Sequence, residues 1–88
     1  MNDKFLQISG PFQQGEDIIA KIKKQYNSNF RYIKKLGIQS KITNICIING
    51  TQFEIGKTEI LEFNDAQITS LSFQQDEPDS TIIDCIVE

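Results

Sequence analysis

The sequence predicts a small α+β protein, with a mainly antiparallel β-sheet or sandwich of about six strands and one N-terminal helix packed on a face. Isoleucine occurs sixteen times against four leucines, and β-branched side chains favour strands over helices. Only one stretch gives its apolar residues a clear helical spacing. A length of 88 residues suits a single domain, residues 1–88, with one modest core.

The N-terminal part of the chain alternates between strand and helix signals. Residues 4–9 can form a short strand, which Gly10-Pro11 then ends. From Glu16 to Tyr26, isoleucines share one helical face and lysines occupy most of the rest. Acids at the start and lysines towards the end also suit the helix dipole. We therefore predict a helix over about residues 16–26.

The segment after this helix has two interpretations. Apolar residues continue the helical spacing as far as Ile33, whereas Asn27-Ser28-Asn29 favours a turn. We predict a turn, followed by an extended segment over residues 31–40 that is interrupted near Gly37. A continued helix is the alternative.

The strongest local signal is a β-hairpin centred on Asn49-Gly50. This dipeptide between two apolar runs favours a two-residue turn, because both residues tolerate positive φ. Such a turn pairs Ile48 with Thr51. The core face then carries Cys46, Ile48, Phe53 and Ile55. Because Ile45 and Ile47 lie on the opposite face, we expect this strand to be central in its sheet or covered by a partner.

The C-terminal part predicts further strands. Residues 60–63 and 66–73 flank Asn64-Asp65 and are predicted to form a second hairpin. The apolar alternation slips within the second of them, which indicates a bulge near Thr69-Ser70 or a strand covered on both sides. Residues 74–80 are predicted to be a polar, acidic loop. The last strand, residues 81–88, points Ile83, Cys85 and Val87 inward and Ile82 and Ile86 outward.

The sequence lacks most residues on which catalytic and metal sites depend. Histidine, the commonest general base and metal ligand, is absent. Cys46 and Cys85 are too few for a zinc site and are predicted to be buried thiols rather than a disulfide. The glycines match no phosphate-binding or dinucleotide-binding loop. We therefore expect no enzyme, with no catalytic residue, no metal and no cofactor.

Clustered carboxylates are the remaining candidates for acid–base chemistry or calcium binding. They are Glu59 with Glu62, and Asp76 with Glu77 and Asp79. We interpret both groups as solvated charges of turns and edge strands, because nothing near them in sequence supplies a pocket. A deep cleft around Glu59, Glu62 and Asp84 would favour an enzyme instead.

Charge is divided unevenly along the chain. Residues 1–41 hold eight of the nine basic residues and three of the twelve acids, a net charge of +5, whereas residues 42–88 carry −8. The halves can neutralise each other within one domain, or join the basic surface of one copy to the acidic surface of the next.

The basic segment 21–41 interleaves cations with aromatic residues, a pattern that can hold phosphates and stack bases. Its candidate interaction residues are Tyr26, Arg31, Tyr32, Lys34 and Lys35.

The chain has no apolar run of the roughly 18 residues that a membrane-spanning helix needs. Residues 1–10 also lack the layout of a secretory signal peptide. We therefore expect a protein that is made in the cytoplasm and has no membrane partner.

Three stretches carry a resemblance to known proteins. They are INGTQFEIGKTEILEF at residues 48–63, AQITSLSF at residues 66–73 and STIIDCIV at residues 80–87. Over residues 37–88 the chain resembles small, mostly uncharacterised proteins encoded in phages and prophages of Gram-positive bacteria, which are suspected to be virion or tail-associated components. The resemblance implies a structural protein located in the host cell and in the virion, and it transfers no catalytic residue.

These observations together predict a non-enzymatic assembly module that self-associates or docks to other proteins. Strands with apolar residues on both faces favour this prediction, since a short helix covers only part of a sheet and leftover apolar surface usually marks an interaction site. The alternative is a small nucleic-acid-binding or host-interaction protein that uses the basic segment 21–41.

Overall fold

The computed structural model describes residues 3–57 and 59–88. This part of the chain contains one α-helix and seven strands in two antiparallel sheets, which confirms the small α+β class. The elements in chain order are β1 (Lys4–Ser9), α1 (Ile18–Tyr26), β2 (Ile33–Gln39), β3 (Asn44–Ile48), β4 (Thr51–Ile55), β5 (Ile60–Phe63), β6 (Leu71–Phe73) and β7 (Ile82–Val87). One sheet has the strand order β1-β7-β2-β5 and the other β4-β3-β6.

The two sheets share one hydrophobic core. Strand β7 shows how the alternation builds it, because Ile83, Cys85 and Val87 are buried whereas Ile82 and Ile86 on the other side are half-buried. The predicted orientation of the last strand is therefore confirmed. On the side where β4 and β5 meet, the rings of Phe53 and Phe63 pack edge to face with centroids 4.9 Å apart, a favourable aromatic geometry.

The predicted helix is confirmed, although it begins two residues later than predicted. The Asp17 side chain caps it by accepting a hydrogen bond from the Ala20 N–H at 3.1 Å, which satisfies a donor that the first turn leaves free. Asn27 ends it in the left-handed conformation with φ of 48°. The helix contacts β1 of one sheet and β6 of the other. It thus closes one side of the sandwich, whereas we had expected it to cover a face.

The predicted hairpin is confirmed in register. Ile48 pairs with Thr51 and Cys46 with Phe53, while Asn49 and Gly50 have φ of 51° and 82°. Strand β3 lies between β4 and β6. Its central position, one of the two predicted, is confirmed, and Ile45 and Ile47 are half-buried on its face away from the core.

The segment after the helix is extended, so the alternative of a continued helix is wrong. The predicted interruption near Gly37 is also wrong, because Gly37 pairs with Asp84 on one side and Glu62 on the other. Two neighbouring strands hold its backbone in the sheet although glycine alone favours no strand. The irregularity lies earlier, between Ile33 and Lys35, where the register with β7 shifts.

The predicted second hairpin is wrong. Strand β5 pairs with β2 in the four-stranded sheet, and β6 pairs with β3 in the other sheet. A turn does occur, with Asp65 at φ of 55°, but residues 66–68 then run beside the start of β2, where Ile68 and Ile33 exchange two backbone hydrogen bonds of 2.9 and 3.0 Å. The slip in the apolar alternation falls where the chain passes from the four-stranded sheet to the three-stranded sheet. Beyond it, Leu71 and Phe73 are buried on the opposite side of the core.

Candidate functional site

One face of the four-stranded sheet points away from the core, and we call it the outer face. In each strand it consists of every second residue, because successive side chains in a strand point to opposite sides. Its members are Phe5, Gln7, Ser9, Lys35, Gly37, Gln39, Ile60, Glu62, Ile82, Asp84 and Ile86. The helix packs at the side of the sandwich and leaves this face uncovered in the described structure.

Strand register arranges the outer face in rows that run across the sheet. The middle row is Gln7, Asp84, Gly37 and Glu62, one residue from each strand. Because Gly37 has no side chain, this row has a notch between its two carboxylates. An open groove of about 290 Å³ includes the notch, and Phe5, Lys35, Gln39, Ile60, Glu62, Asp84 and Ile86 are among its lining residues.

The outer face is partly apolar. Phe5 is 65% exposed and Ile60 is 59% exposed, on the two outermost strands of the sheet. In the central strand β7, Ile82 and Ile86 are half-buried on this same face. A solvated face of an antiparallel sheet usually carries polar side chains. Exposed isoleucine and phenylalanine beside a groove are therefore more typical of a contact surface.

The groove is also charged. Gln7 Nε2 donates a hydrogen bond of 2.7 Å to Asp84 Oδ1, which orients that carboxylate. Within residues 3–57 and 59–88, neither Asp84 nor Glu62 has a basic side chain within 4 Å, and Lys35 has no acidic one. Lys35 lies one row away, opposite Ile86. The face thus combines two carboxylates, one ammonium group and several apolar side chains.

Three of the five predicted interaction residues lie together at the C-terminus. Arg31 Nη2 and Lys34 Nζ lie 3.3 and 3.8 Å from the Glu88 carboxylate, and Lys34 Nζ also lies 3.3 Å from Asp3 Oδ2. The hydrogen bond and charge of Asp3, with a smaller contribution from Glu88, raise the pKa of Lys34. The Arg31 guanidinium lies 5.5 Å from the centre of the Tyr32 ring. Acids near both chain ends thus neutralise part of the basic segment.

The other two predicted interaction residues lie elsewhere. The Tyr26 hydroxyl donates to the Gln7 carbonyl and accepts from the Gln7 N–H at 3.2 Å. It therefore covers backbone groups on the free edge of β1, where unpaired strand edges invite association. Lys35 lies on the outer face, which makes it the one predicted interaction residue at the groove.

The interpretation of Glu77 as a solvated loop charge is wrong. The residue is 2% exposed, and its side chain accepts hydrogen bonds from Ser40 Oγ at 2.7 Å, from Thr81 Oγ1 at 2.6 Å and from Asn44 Nδ2. We call these four residues the Glu77 cluster. Burial of the carboxylate is tolerated because these three neutral donors replace its hydration. The cluster joins the β2–β3 and β6–β7 connections.

The other carboxylates form no enclosed site. Asp76 accepts a hydrogen bond of 2.7 Å from the Gln14 N–H, and Asp79 is exposed. Glu62 and Asp84 flank the groove, but the groove is open along the sheet and Glu59 is not among its lining residues. In the described ranges, no three His, Cys, Asp or Glu side chains are grouped so that they could hold a metal ion. No helix there is long and apolar enough to cross a membrane.

The prediction of buried, unpaired thiols is confirmed. Cys46 and Cys85 are both free and buried on the inner faces of β3 and β7. Burial raises the pKa of each thiol to about 11. Both therefore stay protonated near neutral pH and contribute to the core as small apolar groups.

Sequence reasoning identified parts of the outer face without locating the groove. It predicted outward Ile82 and Ile86, and it singled out Lys35 for its charge. The available signal was Gly37 inside an otherwise strand-like segment, a pattern that often marks a close approach of another molecule. No family model, curated protein or solved structure is significantly similar to this chain.

Proposed function

We propose that this protein is a non-enzymatic assembly module that self-associates or docks to other proteins through its outer face. The observation that carries the proposal is the exposure of Phe5 and Ile60 at 65% and 59% on the same sheet face, beside an open groove. Removing such side chains from water contributes roughly 25 cal/mol for each Å² of apolar area buried. A partner that covers the face therefore gains affinity from side chains that the monomer leaves in solvent.

The biological class that we propose is a virion component encoded by a phage or prophage. Support comes from the resemblance over residues 37–88, a range that contains β5, β7 and the last three residues of β2. These three strands supply most of the groove-lining residues. A structural protein of a virion acts through contacts with neighbouring subunits, which is the role proposed for this face.

Serine in place of both Phe5 and Ile60 is expected to weaken association about tenfold or more, because the contact then loses the burial of two large apolar side chains. The fold should persist, since exposed positions tolerate substitution within about 0.5 kcal/mol. Light scattering over a concentration series measures association, and circular dichroism checks the fold. A control with Gln52→Ser and Glu54→Ser changes exposed residues of β4 and should associate like the wild type. Unchanged association of the Phe5→Ser, Ile60→Ser protein would contradict the role of the outer face.

Nucleic-acid binding through the basic segment 21–41 is the second candidate function. The observation that favours it is the exposed Arg31 side chain, 72% accessible, above the Tyr32 ring. A guanidinium and an adjacent aromatic ring can contact a phosphate and stack on a base. The ion pairs of Arg31 itself with Glu88, and of Lys34 with Asp3 and Glu88, reduce the positive charge available to a phosphate.

A gel-shift experiment tests this second candidate. Binding through Arg31 and Tyr32 predicts a shift of single-stranded DNA or RNA at about 50 mM salt that weakens steeply as salt rises, because phosphate contacts release counterions. Arg31→Ala should weaken the shift, whereas Lys57→Ala, in the β4–β5 connection, should leave it unchanged. If no single-stranded or duplex nucleic acid binds at micromolar protein, the candidate is discarded.

A further inference from the structure

We infer that the outer face binds a second copy of this chain, with Lys35 of each copy seated in the Gly37 notch of the other, between Asp84 and Glu62. This inference rests on the proposed function, since it names the partner of the same face.

The spacing of Lys35 and Gly37 makes the face self-complementary. Both residues lie on β2, two positions apart, and both point outward. A rise of about 3.4 Å per residue separates them by about 7 Å along the strand. Consider a two-fold axis that runs parallel to the sheet and crosses β2 at right angles between these two residues. Rotation about this axis places Lys35 of one copy opposite Gly37 of the other. Each Lys35 side chain then lies above the notch of the partner copy, as a symmetric dimer requires.

The charges around the notch are complementary to an ammonium group. Asp84 and Glu62 pair with Gly37 from the two neighbouring strands, so their Cα atoms lie roughly 10 Å apart at a strand spacing of about 4.8 Å. An ammonium group above Gly37 lies between both carboxylates. Within the described chain Lys35, Glu62 and Asp84 form no ion pair, whereas the adjacent Lys34 is paired with Asp3 and Glu88. Because the dimer is symmetric, it contains two such Lys35 contacts, one from each copy.

Apolar side chains surround the proposed axis. Phe5 and Ile86 lie in the same row as Lys35, so the symmetry places this row above the Gln7, Asp84 and Gly37 row of the second copy, with each Phe5 and Ile86 about 7 Å along the strand from its counterpart. A four-stranded face with strands of about six residues covers on the order of 400 Å² in projection. Stable interfaces bury about 800 Å² per partner. The dimer is therefore expected to be weak, with a mass that rises with protein concentration.

A charge exchange between two variants tests this pairing. Lys35→Glu leaves three acids at the groove, and Glu62→Lys with Asp84→Lys leaves three lysines, so each variant alone should self-associate at least tenfold more weakly, because like charges are brought together. An equimolar mixture should form a heterodimer, since each notch then receives a side chain of opposite charge. Sedimentation equilibrium at low salt measures all three samples, and circular dichroism checks each fold. Lys41→Glu, the same charge change at an exposed lysine of the β2–β3 connection that forms no ion pair in the described chain, is the matched control and should still dimerise.

The possible results separate this inference from the broader function. Restored association in the mixture supports the Lys35 pairing. If Lys35→Glu dimerises as well as Lys41→Glu, the pairing is overturned, and the Phe5→Ser, Ile60→Ser protein then decides whether the outer face is used at all. A wild type that is monomeric at every concentration also overturns the inference, and the proposed function is then limited to docking with a different protein.

Discussion

Alanine in place of Glu77 is expected to lower the free energy of unfolding by about 3–5 kcal/mol. The substitution removes the acceptor of Thr81 Oγ1 and of one Asn44 Nδ2 hydrogen in a buried site, whereas Ser40 Oγ can still donate to the Ile42 carbonyl oxygen at 3.0 Å. Each buried donor left unsatisfied costs about 1–3 kcal/mol. The side-chain hydrogen bonds between the β2–β3 and β6–β7 connections are lost at the same time. Since a small domain is stable by only about 5–15 kcal/mol, a loss of this size brings the protein close to unfolding.

Urea denaturation followed by circular dichroism measures this loss. Glu77→Gln keeps the shape and one acceptor oxygen, so we expect a smaller cost of about 1–3 kcal/mol. Asp79→Asn removes the same charge from an exposed position of the same loop, and its effect should stay within about 0.5 kcal/mol. If Glu77→Ala and Asp79→Asn unfold at the same urea concentration, the Glu77 cluster contributes nothing to stability and our account of the loop is wrong.

Valine in place of Gly37 is expected to abolish self-association without harming the fold. A Cβ atom at this position meets only the Asp84 carbonyl oxygen, at 4.0 Å, so the side chain has room in the monomer. Glycine within a strand costs about 0.5–1 kcal/mol relative to alanine, and β-branched residues suit strands. The variant should therefore be as stable as the wild type or up to about 1 kcal/mol more stable, while its side chain fills the notch that the partner's lysine needs.

Local elements of the fold could be predicted from the sequence because their signals lie within a few residues. The Asn49-Gly50 turn sets the register of its own hairpin, and Asp17 caps the helix that follows it. The alternation of Ile83, Cys85 and Val87 gives the inner face of β7 directly. In each case neighbouring residues determine the backbone conformation, so no knowledge of distant contacts is needed.

The crossing between sheets could not be predicted in the same way. A turn at Asn64-Asp65 is compatible with either a hairpin or a change of sheet, and local chemistry does not distinguish them. Pairing of β5 with β2 and of β6 with β3 depends on which arrangement buries the most apolar surface over the whole chain. The same limit applies to Glu77, whose partners Ser40 and Asn44 are more than thirty residues away.

The candidate site could be predicted only in part. The charge of Lys35 and the outward isoleucines of β7 are visible in the sequence, but the notch needs Gly37 between Asp84 and Glu62 on neighbouring strands. Gly37 alone suggested a break in the strand. Only the pairing with both neighbours shows that this glycine instead opens a gap in a continuous sheet face.

Sedimentation equilibrium of the wild type beside Gly37→Val, over a wide concentration series at low salt, tests most directly whether the outer face is the surface of self-association. We expect the apparent mass of the wild type to rise from 10.1 kDa towards twice that value. The Gly37→Val protein should stay at the monomer mass and unfold at an equal or higher urea concentration. Identical mass curves for the two folded proteins would contradict the account, because a filled notch would then leave association unchanged.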